Sequence, residues 1–250
     1  LSVLKALRAE LPFEDFVYVA DSGHAPYGER DHSHVLTRAR AITTYLLRQH
    51  QIKTLVIACN TATAAVIDVL RQEHPGLPMV GVEPALKPAV AASQTRHIGV
   101  LATRGTLGSR KFKTLLDSLA GQASFTCQPC DGLAAAIEHQ DTTKIVALCE
   151  EYTRAMGQFG SKNQEIDSLV LGCTHYPFAR PELVTLLPAG VQLIDNGQPV
   201  ARQTRRVLPQ LASPDQPGQL TLCATGHPER LAQAARRWLD WSAPVQTLTL

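Results

Sequence analysis

Short apolar runs rich in Val, Ile and Leu recur along this chain, and a longer segment with helical periodicity follows most of them. The runs are residues 16–20 (FVYVA), 54–59 (TLVIAC), 78–82 (PMVGV), 97–102 (HIGVLA), 123–129 (ASFTCQP), 168–173 (SLVLGC), 191–195 (VQLID) and 220–225 (LTLCAT). Helical patterns are expected at 34–50, 62–73, 142–159 and 228–241, with two more starting at Pro181 and Val200. Runs too apolar to have a solvent face, separated by helices, predict parallel sheets built from βαβ crossovers.

A chain of 250 residues holds one large domain or two ordinary ones. It contains no long Gly/Ser linker, and turn-forming breaks fall at Glu83-Pro84 and at Asp195-Asn196-Gly197. Glu83 is read as a hinge residue. The expected organisation is two similar doubly wound parallel-sheet domains with the active site in the cleft between them. Residues 1–84 and 196–250 form a first, discontinuous domain, and 85–195 form the second.

Composition excludes several classes. A formal charge of +2 with scattered basic pairs is not the one-sided basicity of a nucleic-acid binder. No apolar run approaches the ~20 residues that span a bilayer, and no signal peptide is visible, so a cytoplasmic protein without membrane partners is expected. Six irregularly spaced cysteines suit reduced thiols. The pair Cys127 and Cys130 invites a zinc or redox reading, but no second pair or histidine cluster accompanies it, so it is read as a strand end and no metal is expected.

Two of the runs match each other. Residues 55–63 read LVIACNTAT and residues 169–177 read LVLGCTHYP, so Cys59 and Cys173 occupy the same local frame, one in each expected domain. A lone buried cysteine is usually a packing residue. Two at the carboxyl ends of parallel strands stand where open sheets bind ligands and where helix N-termini point inward. Inverting a carbon stereocentre needs an acid/base group on each face, and thiols serve because thiol and thiolate are both accessible near neutral pH. His175, two residues beyond Cys173, is suited to assist it. Cys59 has no histidine close in sequence.

With these residues in hand, the chain resembles the glutamate racemases of the cofactor-independent aspartate/glutamate racemase superfamily. The matching segments are ADSGHAPYGER (20–30), ACNTAT (58–63), GVEPALKPA (81–89), IGVLATRGT (98–106) and LVLGCTHYPF (169–178), with weaker matches at 193–201 and 224–231. The resemblance implies interconversion of L- and D-glutamate for peptidoglycan, without a cofactor. By the family pattern Cys59 takes the α-proton of the D enantiomer and Cys173 that of the L enantiomer, with His175 assisting. Tyr27, Gly28, Asn60, Thr61, Thr174 and His175 match substrate-binding positions, and Glu138 matches a carboxylate that organises the site. Thr103 and Thr106 are weaker candidates for binding. Asn60, Thr61 and Thr174 also read as helix N-caps, and Tyr27 as a turn residue. The sequence leaves a homodimer open.

One departure matters. The family pattern begins with a strand and Asp-Ser-Gly-x-Gly-Gly directly before LSVLKAL, whereas this sequence opens at Leu1, inside the first helix of that pattern. Asp21-Ser22-Gly23 shares the letters but leads into Pro-Tyr-Gly, so Asp21 is read as a different residue. The preceding segment is expected to exist in the protein, because losing a buried strand would expose apolar surface and unpaired backbone groups. A racemase of aspartate or hydantoin is the alternative reading, and a binding-only relative is the alternative if the segment is missing.

Overall fold

The computed structural model describes residues 1–250, the side chain of Glu29 excepted. It divides into two compact units: Leu1–Val82 with Gly197–Leu250, and Glu83–Asn196. Every strand pairing is parallel.

The second unit holds α4 (Leu86–Ala92), β4 (His97–Ala102), α5 (Arg104–Gly108), α6 (Arg110–Asp117), β5 (Ser124–Pro129), α7 (Leu133–Glu138), α8 (Thr142–Met156), β6 (Ser168–Leu171), α9 (Arg180–Leu186) and β7 (Gln192–Ile194). Its four strands lie in the order β5-β4-β6-β7. Successive strand residues point to opposite faces, and this chain fills both faces with apolar groups. Ile98, Val100, Ala102 and Val170 join the cluster with Leu86 and Phe112, while Leu101, Leu169 and Leu171 join the one with Leu133, Ile145 and Leu183. All seven strand residues are fully buried, and covering a Leu or Ile side chain in this way contributes about 1.5–3 kcal/mol.

The first unit comprises α1 (Ser2–Glu10), β1 (Phe16–Ala20), α2 (His32–His50), β2 (Leu55–Ile57), α3 (Asn60–Glu73), β3 (Met79–Gly81), α10 (Gly197–Val207), β8 (Leu220–Ala224), α11 (Pro228–Leu239) and β9 (Val245–Thr247). Its strands form two separate ladders, β1-β8-β9 and β2-β3. Every residue of β1 is half-buried, unlike the enclosed β4 and β6. Helices α2 and α3 share one apolar cluster, while Val3, Leu7 and Leu11 of the α1 region share another with Val200 and Ala201 of α10. Among the described residues no helix is long and apolar enough to cross a membrane.

Several sequence expectations need correction at their edges. The run 54–59 is strand only over Leu55–Ile57, because Ala58 and Cys59 already turn into α3, which starts at Asn60 rather than residue 62. Asp31 caps α2 by accepting from the His34 N–H at 2.7 Å, so that helix begins at His32 rather than 34. Helices α8 and α11 stop at Met156 and Leu239, short of 159 and 241. Strand β9 and helices α4, α5 and α6 were not anticipated, the strand being very short and the helices shorter than the roughly 11-residue window over which a hydrophobic period is read.

Asp167, at the entry to β6, holds the turn that leads into β4. Its carboxylate accepts from Ser93 Oγ at 2.7 Å, Gln94 N at 2.6 Å and Thr95 N at 2.9 Å. Burial opposes the charge, but these donors outweigh it and hold the carboxyl below its ordinary range. Asp167→Asn is therefore expected to cost about 1–3 kcal/mol in denaturant titrations near neutral pH. A depressed carboxylate contributes stability that is present above its unfolded pKa of 3.8 and lost as pH falls through the folded value. The difference between wild type and variant should accordingly shrink below about pH 4.

Candidate active site

Cys173 lies just past the carboxyl end of β6 and is 8% exposed. The turn that carries it sits flush on the sheet. The Gly172 N–H donates to Leu101 O at 2.7 Å, and a Cβ at residue 172 would stand 2.8 Å from that oxygen, so only glycine fits. Behind the thiol, Tyr176 is fully buried and its hydroxyl donates to Cys130 O at 3.2 Å, pinning the 3₁₀ turn Tyr176–Ala179.

Three residues expected to act together meet here. Cys173 Sγ lies 3.6 Å from His175 Nδ1, and His175 Nε2 lies 2.5 Å from Glu138 Oε1. Glu138 ends α7, whose Leu133, Ala136 and Ile137 are buried, so the apolar face of that helix aims its last side chain at the imidazole. Burial disfavours the imidazolium, but Cys173 and Glu138 outweigh it and bring His175 up to about 10. Burial likewise opposes ionisation of Glu138, and His175 more than reverses that, keeping the carboxyl below its usual range. A carboxylate, an imidazole and a thiol in line form a chain that can carry a proton to and from sulfur. Thr174, adjacent to the thiol, is buried. Thr103 caps α5: its Oγ accepts from the Thr106 N–H at 3.2 Å and donates to Thr106 Oγ at 2.9 Å.

In the first unit the corresponding thiol is itself a helix cap. Cys59 Sγ accepts from the Ala62 N–H at 3.4 Å and is the N-cap of α3, the position that Asn60 and Thr61 were expected to fill. The sulfur thus faces the positive end of a helix of 14 residues. Thr63 fixes that first turn to the sheet, donating to Ile57 O at 3.1 Å and accepting from the Val82 N–H at 2.9 Å. Asn60 is 5% exposed, and neither its amide oxygen nor its amide nitrogen has a hydrogen-bond partner among the described residues. A buried amide left unpaired costs about 1–3 kcal/mol, so such a group is one that a polar ligand satisfies. Thr61 follows, half-buried in the same turn.

Tyr27 and Gly28 lie on a 3₁₀ turn, Tyr27–Glu29, and the Tyr27 ring packs with Cys59 against the cluster of α2 and α3. Sequence reading left Asp21 without a part and passed over its partner Arg38. The Asp21 carboxylate accepts from the Tyr27 hydroxyl and pairs with Arg38 at 2.9 Å. The available signal was a charged residue on the buried face of α2, between Val35 and Leu46.

Cys127 and Cys130 differ in their surroundings. The first is exposed, the second is buried, and burial raises both thiols, Cys127 to about 11. Among the described residues no group of three or more His, Cys, Asp or Glu side chains is arranged to hold a metal ion.

The chain is similar to known proteins over most of its length. Glutamate racemase from Ectopseudomonas mendocina is 46% identical over 243 residues, covering 95% of this chain and 84% of that protein. The glutamate racemase of Pseudomonas aeruginosa is 47% identical over 210 residues, covering 83% and 77%. A solved glutamate racemase isoform from Bacillus anthracis superposes with a TM-score of 0.87 at 27% identity, covering 100% of this chain and 93% of that one. The Escherichia coli enzyme, solved with L-glutamate and an activator, UDP-MurNAc-Ala, gives 0.83 at 28% identity, covering 99% and 93%. The Asp/Glu/Hydantoin racemase family pattern matches residues 2–204. On a match that runs from the first helix into α10 and spans both cysteines, the chain belongs to the Asp/Glu/hydantoin racemase family.

Proposed function

We propose that the protein is a glutamate racemase that interconverts L- and D-glutamate by proton transfer at Cα and supplies D-glutamate for peptidoglycan. The observation that carries this reading is the recurrence of one arrangement in both units: a thiol just past a parallel strand, on a turn fixed to its sheet, beside polar groups able to hold a charged substrate. Relatives named glutamate racemase at 46–47% identity support glutamate over aspartate or a hydantoin as the substrate. Among the described residues no disulfide joins any of the six cysteines, which suits a reducing cytoplasm.

In this mechanism the Cys59 thiolate takes the α-proton of D-glutamate while the Cys173 thiol delivers its own to the opposite face, giving L-glutamate. The reverse direction exchanges the roles. Each passage leaves one sulfur protonated and the other charged, so atoms and charge balance with no net consumption of protons. The charge that develops on the substrate carboxylate is met by hydrogen-bond donors, for which Asn60, Thr61, Thr174 and the backbone of Tyr27 and Gly28 are the candidates. Glu138 holds the imidazole of His175, and His175 exchanges protons with Cys173.

Cys59→Ser and Cys173→Ser, assayed separately by circular dichroism on pure enantiomers, should each slow racemisation by about a hundredfold or more. The wild type should wash deuterium into Cα from deuterium oxide. If both single variants racemise at the wild-type rate, the two-thiol mechanism is wrong.

The His175–Glu138 pair gives a pH test. The Glu138 charge favours the imidazolium, so Glu138→Gln removes that support and His175 loses its proton at lower pH. The alkaline limb of the kcat profile should shift down by about one pH unit or more. An unshifted limb would separate Glu138 from the proton path.

A further inference from the structure

The first unit contains a polar network that the thiol chemistry does not call on, built around Asp21. This residue directly follows β1 and opens the turn at 22–24, and its side chain is almost wholly enclosed, as is that of Arg38 from α2, at 7% and 8% exposure. All the acceptor positions of the carboxylate are taken. Oδ1 receives Arg38 Nη2 at 2.9 Å and Thr225 Oγ at 2.7 Å, while Oδ2 receives Arg38 Nε at 3.1 Å and the Tyr27 hydroxyl. Burial works against the charge on Asp21, and the bonds from Arg38, Thr225 and Tyr27 overcome it.

The network reaches the turn that carries Tyr27 and Gly28 from two sides. Tyr27 is gripped by its hydroxyl. At the other end of the turn the Gly23 N–H donates to Thr225 Oγ at 3.3 Å, so one hydroxyl links the turn, the 224–226 loop and the carboxylate. The two loops lie so close that a Cβ at residue 23 would stand 2.8 Å from Thr225 O, which excludes any larger residue. The imidazoles of His24 and His34, 5.4 Å apart, join the middle of the turn to α2.

We propose that Asp21 and Arg38 are positioning residues for the turn that binds a substrate carboxylate: their ion pair fixes the Tyr27 side chain and, through it, the backbone of Tyr27 and Gly28. The proposal rests on the reading of the protein as a glutamate racemase with Tyr27 and Gly28 in its binding site. A buried ion pair adds little net stability over apolar side chains of the same volume, so its effect here is geometric: one bidentate fork determines where the phenol, and hence the turn, can sit. The phenol spends its only proton on Asp21. It is therefore not a donor to the Cys59 thiolate, although both side chains pack against the same cluster.

The test is steady-state racemisation of glutamate by the full chain carrying Asp21→Asn, with Arg38→Lys as the conservative partner change. Asp21→Asn should raise KM about tenfold while kcat falls less than about threefold, and Arg38→Lys, which keeps the charge and loses the fork, should fall between it and wild type. If Asp21→Asn does not fold, Asp21→Asn combined with Arg38→Gln, which removes both charges together, should give the same rise in KM. An active wild type beside folded variants with unchanged KM overturns the positioning proposal alone. A wild type that racemises no glutamate overturns the functional reading, and this proposal with it.

Discussion

Parallel strands with helices on both faces leave few places for polar chemistry. Both sides of an enclosed strand must be apolar, as Leu169, Val170 and Leu171 are in β6, and the ladder occupies the backbone groups. Charge and hydrogen-bonding side chains are thereby expelled to the strand ends, where the chain turns into a helix and its N–H groups are unsatisfied. Both cysteines occupy that position, and the turns that carry them are fixed to their sheets. Thr63 ties one to β2 and β3, while Gly172 and Tyr176 fix the other.

The two turns solve the same problem differently. At Cys173 the sulfur is served by side chains: an imidazole and, behind it, a carboxylate on another helix. At Cys59 it is served by a helix terminus, with the Ala62 N–H and the dipole of α3 taking the part of a charged neighbour. A racemase treats two mirror-related substrates, but its own residues are not mirror images, so different local means at two sulfurs are what a two-sided mechanism needs.

The strand ends were legible because burial on both faces writes itself into sequence as runs such as LVIAC and LVLGC. The cysteine pair was legible because the run repeats. Helix starts were less so: Cys59 was not recognised as the cap of α3 because serine, threonine, aspartate and asparagine dominate that position, and a thiol is an uncommon substitute. The helices α4, α5 and α6 are shorter than the roughly 11-residue window in which a period stands out. Asp21 was the least readable. Its partners lie at residues 27, 38 and 225, and only the pairing of β1 with β8 brings the last of them to its side.

In the proposed mechanism Cys59 is both an acid/base group and the cap of α3, which has a consequence for the resting enzyme. A two-base racemase leaves each half-turnover in one of two protonation isomers, and the next substrate of a given hand can be used by only one of them. Because the Cys59 sulfur also caps α3, these isomers differ mechanically: a thiolate holds the Ala62 N–H more firmly than a thiol does. Release of the proton from sulfur is thus coupled to tightening of the first turn of α3. Amide hydrogen exchange at Ala62, slower in the thiolate form than in the thiol form, would report that coupling.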